Sequence, residues 1–153
     1  MKNALLFTVL TLLSISLHAQ CDQHQSLIDK VKSALNDKNA DLLAEAYHEN
    51  AIRHSQMGDE KGLTKIVEEA EKFYVDVPDA SSTFYDMVCS GDKVYVRWEG
   101  KGTHKDTGKK LSVTGITLFH IKDGKIVEEW EEMSALSLMQ QLGMELKPAG
   151  GGK

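Results

Sequence analysis

The sequence has few of the residues that are typical of non-globular chains or of small domains held together by disulfides or metal ions. Among 153 residues there are only two prolines and two cysteines. So few prolines exclude a proline-rich or collagen-like chain, and two cysteines are too few for a disulfide scaffold or a four-thiolate zinc site. Aromatic residues make up only 7%, but hydrophobic residues reach 41% and charged residues 27%. These values are typical of one globular domain, and the chain is long enough to bury its own core.

The chain also lacks an excess of basic charge. Its 18 Lys and Arg residues are scattered and are outnumbered by 23 Asp and Glu residues, which gives a net charge of −5. Proteins that bind nucleic acids present a basic stripe, so we expect no nucleic-acid partner. Glycine-rich phosphate loops and nucleophile elbows are missing. The histidines are not spaced as metal ligands, so we expect neither a metal nor a cofactor.

Only one long apolar run occurs, and it lies at the N-terminus. Lys2 precedes an uncharged run over residues 4–17, and the small residue Ala19 follows. This pattern predicts a signal peptide over residues 1–19 and export to the periplasm or the extracellular space. The run is too short to cross a bilayer comfortably, so no membrane span is expected. A lipid anchor on Cys21 is the less favoured alternative, because Gln20 occupies the place of a small residue.

Export would put Cys21 and Cys89 in an oxidising compartment, where they could pair. The favoured expectation leaves them unpaired. Cys21 would then lie on a frayed N-terminus, and Cys89 would act as a small hydrophobic residue in a strand.

Residues 20–147 read as one domain, followed by a flexible tail over residues 148–153. In the first half of this domain, the hydrophobic residues recur with a helical period. One helix is predicted from Ser26, a second short helix from Asn39 or Asp41 through Tyr47, and a third over residues 63–74. A short strand over residues 51–54 and a loop over residues 58–62 separate the last two helices.

From Ser82 the hydrophobic period changes to two. Four long strands are predicted over residues 84–89, 94–104, 111–121 and 126–132, and a last helix begins at Ser134. Short connections favour antiparallel pairing. We therefore predict an α+β fold, in which a cone-shaped antiparallel sheet of four long strands and a short one wraps over three helices. A short C-terminal helix follows, and an internal pocket lies between sheet and helices.

Several sequence blocks carry a family resemblance. They are VYVRW at 94–98, GTH at 102–104, DGKIVEEW at 123–130 and QQLG at 140–143. Together they resemble the SnoaL-like polyketide cyclase (ester cyclase) family of the nuclear transport factor 2-like, ketosteroid isomerase-like superfamily, over about residues 26–145. The resemblance implies the α+β cone, a pocket for a small hydrophobic molecule and a homodimer as one form of the protein.

In the cyclases of this family, the resemblance implies a pocket histidine on the third long strand and an acid–base aspartate just after the fourth-strand tryptophan. These positions map to His120 and to Ser134. A serine hydroxyl cannot replace a carboxylate base near neutral pH, so we expect Ser134 to cap the last helix instead.

The candidate site combines the resemblance with strand alternation. His120 is the candidate catalytic residue, and the resemblance favours His120 and Trp130 facing the pocket. Glu129 and Glu131 are expected to face solvent, whereas Glu128 or Glu132 could replace the missing aspartate. The full set of candidate ligand-binding residues is Tyr47, His54, Trp98, Leu118, His120, Trp130 and Ser134.

Two functions follow from this site. The first is a secreted small-molecule-binding domain with a hydrophobic pocket and no remaining chemistry. The alternative is a cofactor-free cyclase or isomerase that acts on a hydrophobic carbonyl compound, with His120 as the acid–base group.

Overall fold

The computed structural model describes residues 21–147. The predicted signal peptide over residues 1–19 and the predicted tail over residues 148–153 lie outside the described residues. The elements are helix α1 (residues 21–36), helix α2 (Asp41–Ala46), strands β1 (Tyr47–Ser55) and β2 (Gly58–Lys61), helix α3 (Leu63–Asp76), strands β3 (Ser81–Ser90), β4 (Lys93–Thr103), β5 (Lys110–Lys122) and β6 (Lys125–Met133), and helix α4 (Ala135–Gln141).

The six strands form one sheet in the order β2-β1-β6-β5-β4-β3. The predicted α+β fold is confirmed: the sheet curls into an open cone over the helices. One pairing differs from the prediction, because β1 runs parallel to β6. Short connections constrain only strands that follow each other along the chain, whereas β1 and β6 are separated by most of the domain.

The hairpin between β5 and β6 follows the sequence prediction. Asp123 and Gly124 both have positive φ, 51° and 74°, as a type I′ turn requires at its two central residues. The hairpin brings β5 and β6 together over most of their lengths, and it therefore fixes which residues of these two strands are neighbours.

The structure has more strand than predicted in β1 and β2, at the edge of the sheet opposite β3. Strand β1 covers nine residues instead of the predicted four, and the predicted loop after it contains β2. Tyr47 consequently opens β1 rather than closing α2. The polar residues His48, Glu49 and Asn50 are exposed, which hides the strand from a search for apolar alternation.

The core lies between the concave face of the sheet and helices α1 and α3. Its largest fully buried side chains are Phe119, Ile28, Ile66, Ile126, Val94 and Val96. Trp98 also lies on the concave face of β4, directly opposite Gly115 of β5. A Cβ atom at Gly115 would collide with the Trp98 indole, so this glycine leaves the room that the ring occupies.

Cys21 and Cys89 form a disulfide, with their Cα atoms 5.3 Å apart. The expectation of two unpaired cysteines is therefore wrong. Cys21 is already part of α1 rather than of a frayed segment, and Cys89 packs against the core on the face of β3 that meets α1. The bond ties the described start of α1 to the end of β3.

Candidate functional site

The candidate site lies on the concave face of the sheet, where β1 and β6 pair. The register of this parallel pair places Arg53 directly opposite Glu129. Glu131 lies two residues further along β6 and so points to the same face. The Tyr47 hydroxyl donates a hydrogen bond to Oε2 of Glu129, and Nη2 of Arg53 lies 2.6 Å from Oε2 of Glu60. Three strands thus bring one guanidinium, three carboxylates and a phenol together inside the cone.

The two carboxylates of β6 have perturbed protonation. Burial, helped by the neighbouring charge of Glu131 and opposed by that of Arg53, raises the pKa of Glu129 to about 7. Burial also raises the pKa of Glu131. Glu129 is 4% exposed, and burial raises the pKa of Tyr47 well above its usual value. A buried carboxyl group with a pKa near 7 can both take up and release a proton near neutral pH, which suits Glu129 to proton transfer.

Aromatic side chains stand beside these charges. Trp98 is 9% exposed, and its Nε1–H donates to Oγ1 of Thr117 at 2.9 Å. Because that donor is satisfied, the Trp98 ring packs in the core without leaving an unpaired N–H. Tyr74 of α3 packs against the same core, and burial raises the pKa of its hydroxyl. Tyr47 and Trp98 are both buried on the concave side of the sheet, where the side chains include one guanidinium and three carboxylates rather than the apolar lining that the sequence predicted.

His120 does not face this interior. It lies on the outer face of β5, where its Nε2 is 2.8 Å from Oδ2 of Asp92. The interior side of β5 presents Thr117 and Phe119 instead, and Leu118 shares the outer face with His120. The expected inward orientation of His120 is therefore wrong, because strand alternation defines two faces without saying which of them is concave.

Trp130 and His54 meet each other, but also on the outer face. Their ring centroids are 5.2 Å apart with an interplanar angle of 20°, and Trp130 is 36% exposed. His54 Nδ1 lies 2.8 Å from Asp59, and its Nε2 lies 3.0 Å from Glu128. Hydrogen bonds to these two carboxylates raise the pKa of His54, and the bond to Asp59 has the larger effect. The expected inward orientation of Trp130 is wrong.

The orientation of the glutamates in β6 is also opposite to the expectation. Glu129 and Glu131 face the interior, whereas Glu128 and Glu132 lie on the outer face. The cause is a β-bulge: His120 pairs with Glu128 and Ile121 with Ile126, so Val127 is an extra residue in β6. An extra residue reverses the alternation on either side of it, which puts both Ile126 and Glu129 inside. A simple alternating pattern could therefore not have located this site. The one hint in the sequence was the apolar residue Ile126 shortly before four glutamates in the same strand.

Ser134 occupies the position before α4, but its hydroxyl caps no helix N–H. Its Oγ accepts a hydrogen bond from the backbone N–H of Thr114 at 3.1 Å, and its own N–H donates to the Thr114 carbonyl. The predicted helix-capping hydrogen bond is therefore wrong, because the nearby strand β5 offers an N–H that needs a partner. Thr114 is six residues from His120 along β5, roughly 20 Å, so Ser134 and His120 do not form one site.

Within residues 21–147, no group of three or more His, Cys, Asp or Glu side chains is arranged to hold a metal ion. Over the same residues, no helix has the length and apolar character needed to cross a bilayer.

Comparison with known proteins assigns the family. The sequence model of the SnoaL-like polyketide cyclase family matches residues 25–142. The chain is a member of this family. No curated protein sequence matches it. Among solved structures, TsrD from Streptomyces laurentii is 27% identical with a TM-score of 0.74, covering 80% of this chain and 96% of that one. A candidate polyketide cyclase from Bacillus cereus is 30% identical with a TM-score of 0.69, covering 78% and 80%.

A third structure confirms the fold at low identity. It is a protein of ketosteroid isomerase-like fold from Catenulispora acidiphila, solved in complex with trimethylamine. It is 17% identical with a TM-score of 0.72, covering 80% of this chain and 97% of that one. The SnoaL-like family and this fold support a small-molecule-binding or cyclase function for the chain.

Proposed function

We propose that this SnoaL-like protein is a cofactor-independent acid–base catalyst of the cyclase or isomerase type, with Glu129 as the group that moves the proton. The observation that carries the proposal is the buried carboxyl group of Glu129, which lies opposite Arg53 on the concave side of the sheet, where burial raises its pKa to about 7. An acid–base group works best when its pKa lies near the working pH. Glu129 therefore takes the role that the sequence suggested for His120.

The substrate class is a small carbonyl compound. The Glu129 carboxylate removes a proton from the carbon next to the carbonyl, and the electron pair moves onto the carbonyl oxygen. Arg53 lies opposite Glu129 and retains N–H donors beyond the one directed at Glu60, so it can stabilise that oxygen. In an isomerisation, Glu129 returns the proton to another carbon. In a cyclisation, the enolate carbon attacks a second carbonyl carbon, and Glu129 protonates the alkoxide that forms.

Deuterium exchange tests this proposal without knowledge of the natural substrate. The protein is incubated with cyclohexanone in D₂O, and loss of the α-proton signal is followed by NMR. We expect exchange to rise as pH increases through about 7 and to fall about 100-fold or more in Glu129→Gln, since general acid–base groups contribute that much. Glu128→Gln, on the outer face of the same strand, is the matched control. Equal exchange in both variants would contradict the role of Glu129.

The second candidate is a small-molecule-binding domain without catalysis. It is favoured by Ser134, which stands at the position where the family resemblance expects an aspartate and which is bonded to the backbone of β5. Ligand binding without α-proton exchange in the wild-type protein would support this candidate over the catalyst.

We also propose that the protein is exported without a lipid anchor. The disulfide between Cys21 and Cys89 supports export, because thiols are kept reduced in most cytosols. The same bond uses the Cys21 sulfur that a lipid would need. The intact mass of the native protein tests this proposal: we expect cleavage after Ala19 and no acyl chains on Cys21.

A homodimer through the outer face of the sheet completes the proposal. Trp130, Leu118, Tyr95 and Val88 are cross-strand neighbours from β6 to β3 and form an outer stripe. Trp130, Tyr95 and Val88 are 36%, 41% and 61% exposed. Leu118 between them is half-buried. A continuous stripe of large apolar side chains, most of them exposed, is typical of an interaction surface.

Charges beside the outer stripe favour a second copy as its partner. Glu128 and Lys93 flank the stripe on one side, and Glu132 and Arg97 flank it on the other. Strands β6 and β4 lie on either side of β5, so a two-fold axis along β5 exchanges them. Glu128 then faces Lys93 of the second copy, Glu132 faces Arg97, and Trp130 packs on Tyr95. An axis along the stripe itself would instead oppose Glu128 to Glu132 and Lys93 to Arg97.

A further inference from the structure

Strand β2 is short and has a single residue that is withdrawn from water. It covers Gly58–Lys61, and none of its four residues is apolar. Gly58, Asp59 and Lys61 are exposed, whereas Glu60 is partly buried. Because a strand without apolar side chains adds nothing to the hydrophobic core, the contribution of β2 to the concave side of the sheet is the carboxylate of Glu60.

The registers of two strand pairs place Glu60, Arg53 and Glu129 in one row across the sheet. Glu60 is the antiparallel partner of Arg53, and Arg53 is the parallel partner of Glu129. Residues directly opposite each other in neighbouring strands present their side chains on the same face. The guanidinium therefore has a carboxylate on either side. The next residue in the row is the uncharged Phe119 of β5, so the charges of this row end at Glu129.

The guanidinium of Arg53 is held from the Glu60 side. Its Nη2 lies 2.6 Å from Oε2 of Glu60, and the two side chains are only 22% and 14% exposed. That oxygen is shielded from water, so the guanidinium is the charge that compensates it. Because an arginine side chain is long and has many rotamers, a fixed carboxylate partner is what keeps its guanidinium in one position.

We propose that Glu60 is a positioning residue, whose carboxylate holds the Arg53 guanidinium beside Glu129, where it stabilises the oxygen that becomes negative in the reaction. This inference rests on the proposed function, because that oxygen gains its charge only if Glu129 removes the proton. Glu60 touches neither the proton nor the carbonyl and acts through Arg53. A donor stabilises developing charge best when it is in place before the reaction begins, so a guanidinium that moves freely would slow the reaction.

The positioning role has a consequence for the protonation of Glu129 that a merely structural role would lack. The titratable or charged groups around Glu129 are Tyr47 and Arg53 of β1, Glu60 of β2, Tyr74 of α3 and Glu131 of β6. The negative charge of Glu60 disfavours the ionised form of Glu129, and its contact with Arg53 draws the guanidinium away from Glu129. Both effects have the same sign, so removal of the Glu60 charge should lower the pKa of Glu129.

The test variant is Glu60→Gln, which removes the charge and keeps the shape. Its matched control is Asp59→Asn, which removes the adjacent carboxylate on the outer face of the same strand. The titration of Glu129 is followed by carboxyl ¹³C NMR, and Glu129→Gln identifies its signal. We expect the midpoint to fall by about 0.5–1 pH unit in Glu60→Gln, as for like charges about 10 Å apart in a partly buried environment. Asp59→Asn should leave it unchanged.

The exchange of the α-protons of cyclohexanone gives the second readout. At a pH above both midpoints, where Glu129 is ionised in every protein, Glu60→Gln should slow the exchange about tenfold, which is less than the loss of a whole oxyanion donor. Asp59→Asn should exchange at the wild-type rate. A lowered midpoint without slower exchange would show that Glu60 acts by its charge alone, and the positioning role would be wrong.

A third measurement tests the holding directly and needs no variant of Glu60. The chain has two arginines, Arg53 and Arg97, so Arg97→Lys identifies the side-chain NMR signals of Arg53. The Arg97 side chain is 53% exposed, and its guanidinium should rotate rapidly, whereas that of Arg53 should rotate slowly enough to give separate Nη–H signals in the cold. If both rotate alike, the inference is wrong and the proposed function stands. If Glu129 titrates near 4.5 in the wild-type protein, the proposed function itself fails.

Discussion

Arg53 and Glu129 lie directly opposite each other in the only parallel strand pair among the described residues. Their side chains point into the cone, where the guanidinium favours the charged form of the carboxylate and burial favours the neutral form. Burial is the larger effect, and the net result is a raised pKa for Glu129. The parallel pairing of β1 with β6 therefore creates a group that can both take and give a proton near neutral pH.

The raised pKa of Glu129 has a consequence for stability. The folded protein holds a proton on Glu129 up to a pKa of about 7, whereas the unfolded chain releases it near 4.5. Stability should therefore be highest below about pH 4.5 for this group and should fall by up to about 3 kcal/mol as pH rises through 7. The glutamine in Glu129→Gln cannot ionise, so its denaturation midpoint should depend less on pH over this range. Parallel pH profiles of the two proteins would contradict the assignment.

The Cys21–Cys89 disulfide spans 68 residues and should contribute substantially to stability. In the chain-entropy model a loop of this length is worth about 4 kcal/mol. We expect Cys89→Ser to lower the free energy of unfolding in urea by about that amount, and a reductant to do the same to the wild-type protein. The reductant should leave Cys89→Ser unchanged. If it has no effect on either protein, the two cysteines do not pair in solution.

The two tryptophans should respond differently to truncation. Trp98 is buried on the concave face with its N–H bonded to Thr117, so Trp98→Ala should cost about 3–5 kcal/mol of unfolding free energy. Trp130 is 36% exposed on the outer face, so the cost of Trp130→Ala should be clearly smaller. Urea denaturation of both variants at low protein concentration measures the difference. Equal losses would contradict the assignment of Trp130 to the outer face.

The sequence was sufficient for the elements whose signals are local. The apolar period of α3 and the Asp123–Gly124 turn can each be recognised from a few neighbouring residues, and both predictions agree with the structure. The candidate site depended on something that is not local. One extra residue, Val127, reverses the alternation in β6, and that reversal decides whether Glu129 or Glu128 lies inside the cone. The pairing of Cys21 with Cys89 likewise depends on where α1 packs against β3.

The proposed dimer predicts that a charge inside the outer stripe disrupts the dimer, whereas a charge elsewhere on the sheet does not. Replacing Leu118 with Arg, in the middle of the outer stripe, should yield a monomer in sedimentation experiments, because a charge at the two-fold axis would face its own copy. Thr83→Arg, at an exposed position of β3 away from the stripe, is the control and should leave the dimer intact.

The direction of the two-fold axis is tested by charge reversal. Since an axis along β5 places Glu128 opposite Lys93 of the second copy, Lys93→Glu alone should weaken the dimer by placing two negative charges together. Adding Glu128→Lys to the same chain restores opposite charges at both symmetry-related contacts, so the double variant should regain much of the lost affinity. Pairs of close charges at interfaces are coupled in this way. Two single substitutions whose effects simply add would show that Glu128 and Lys93 do not meet and that the two copies pair in another arrangement.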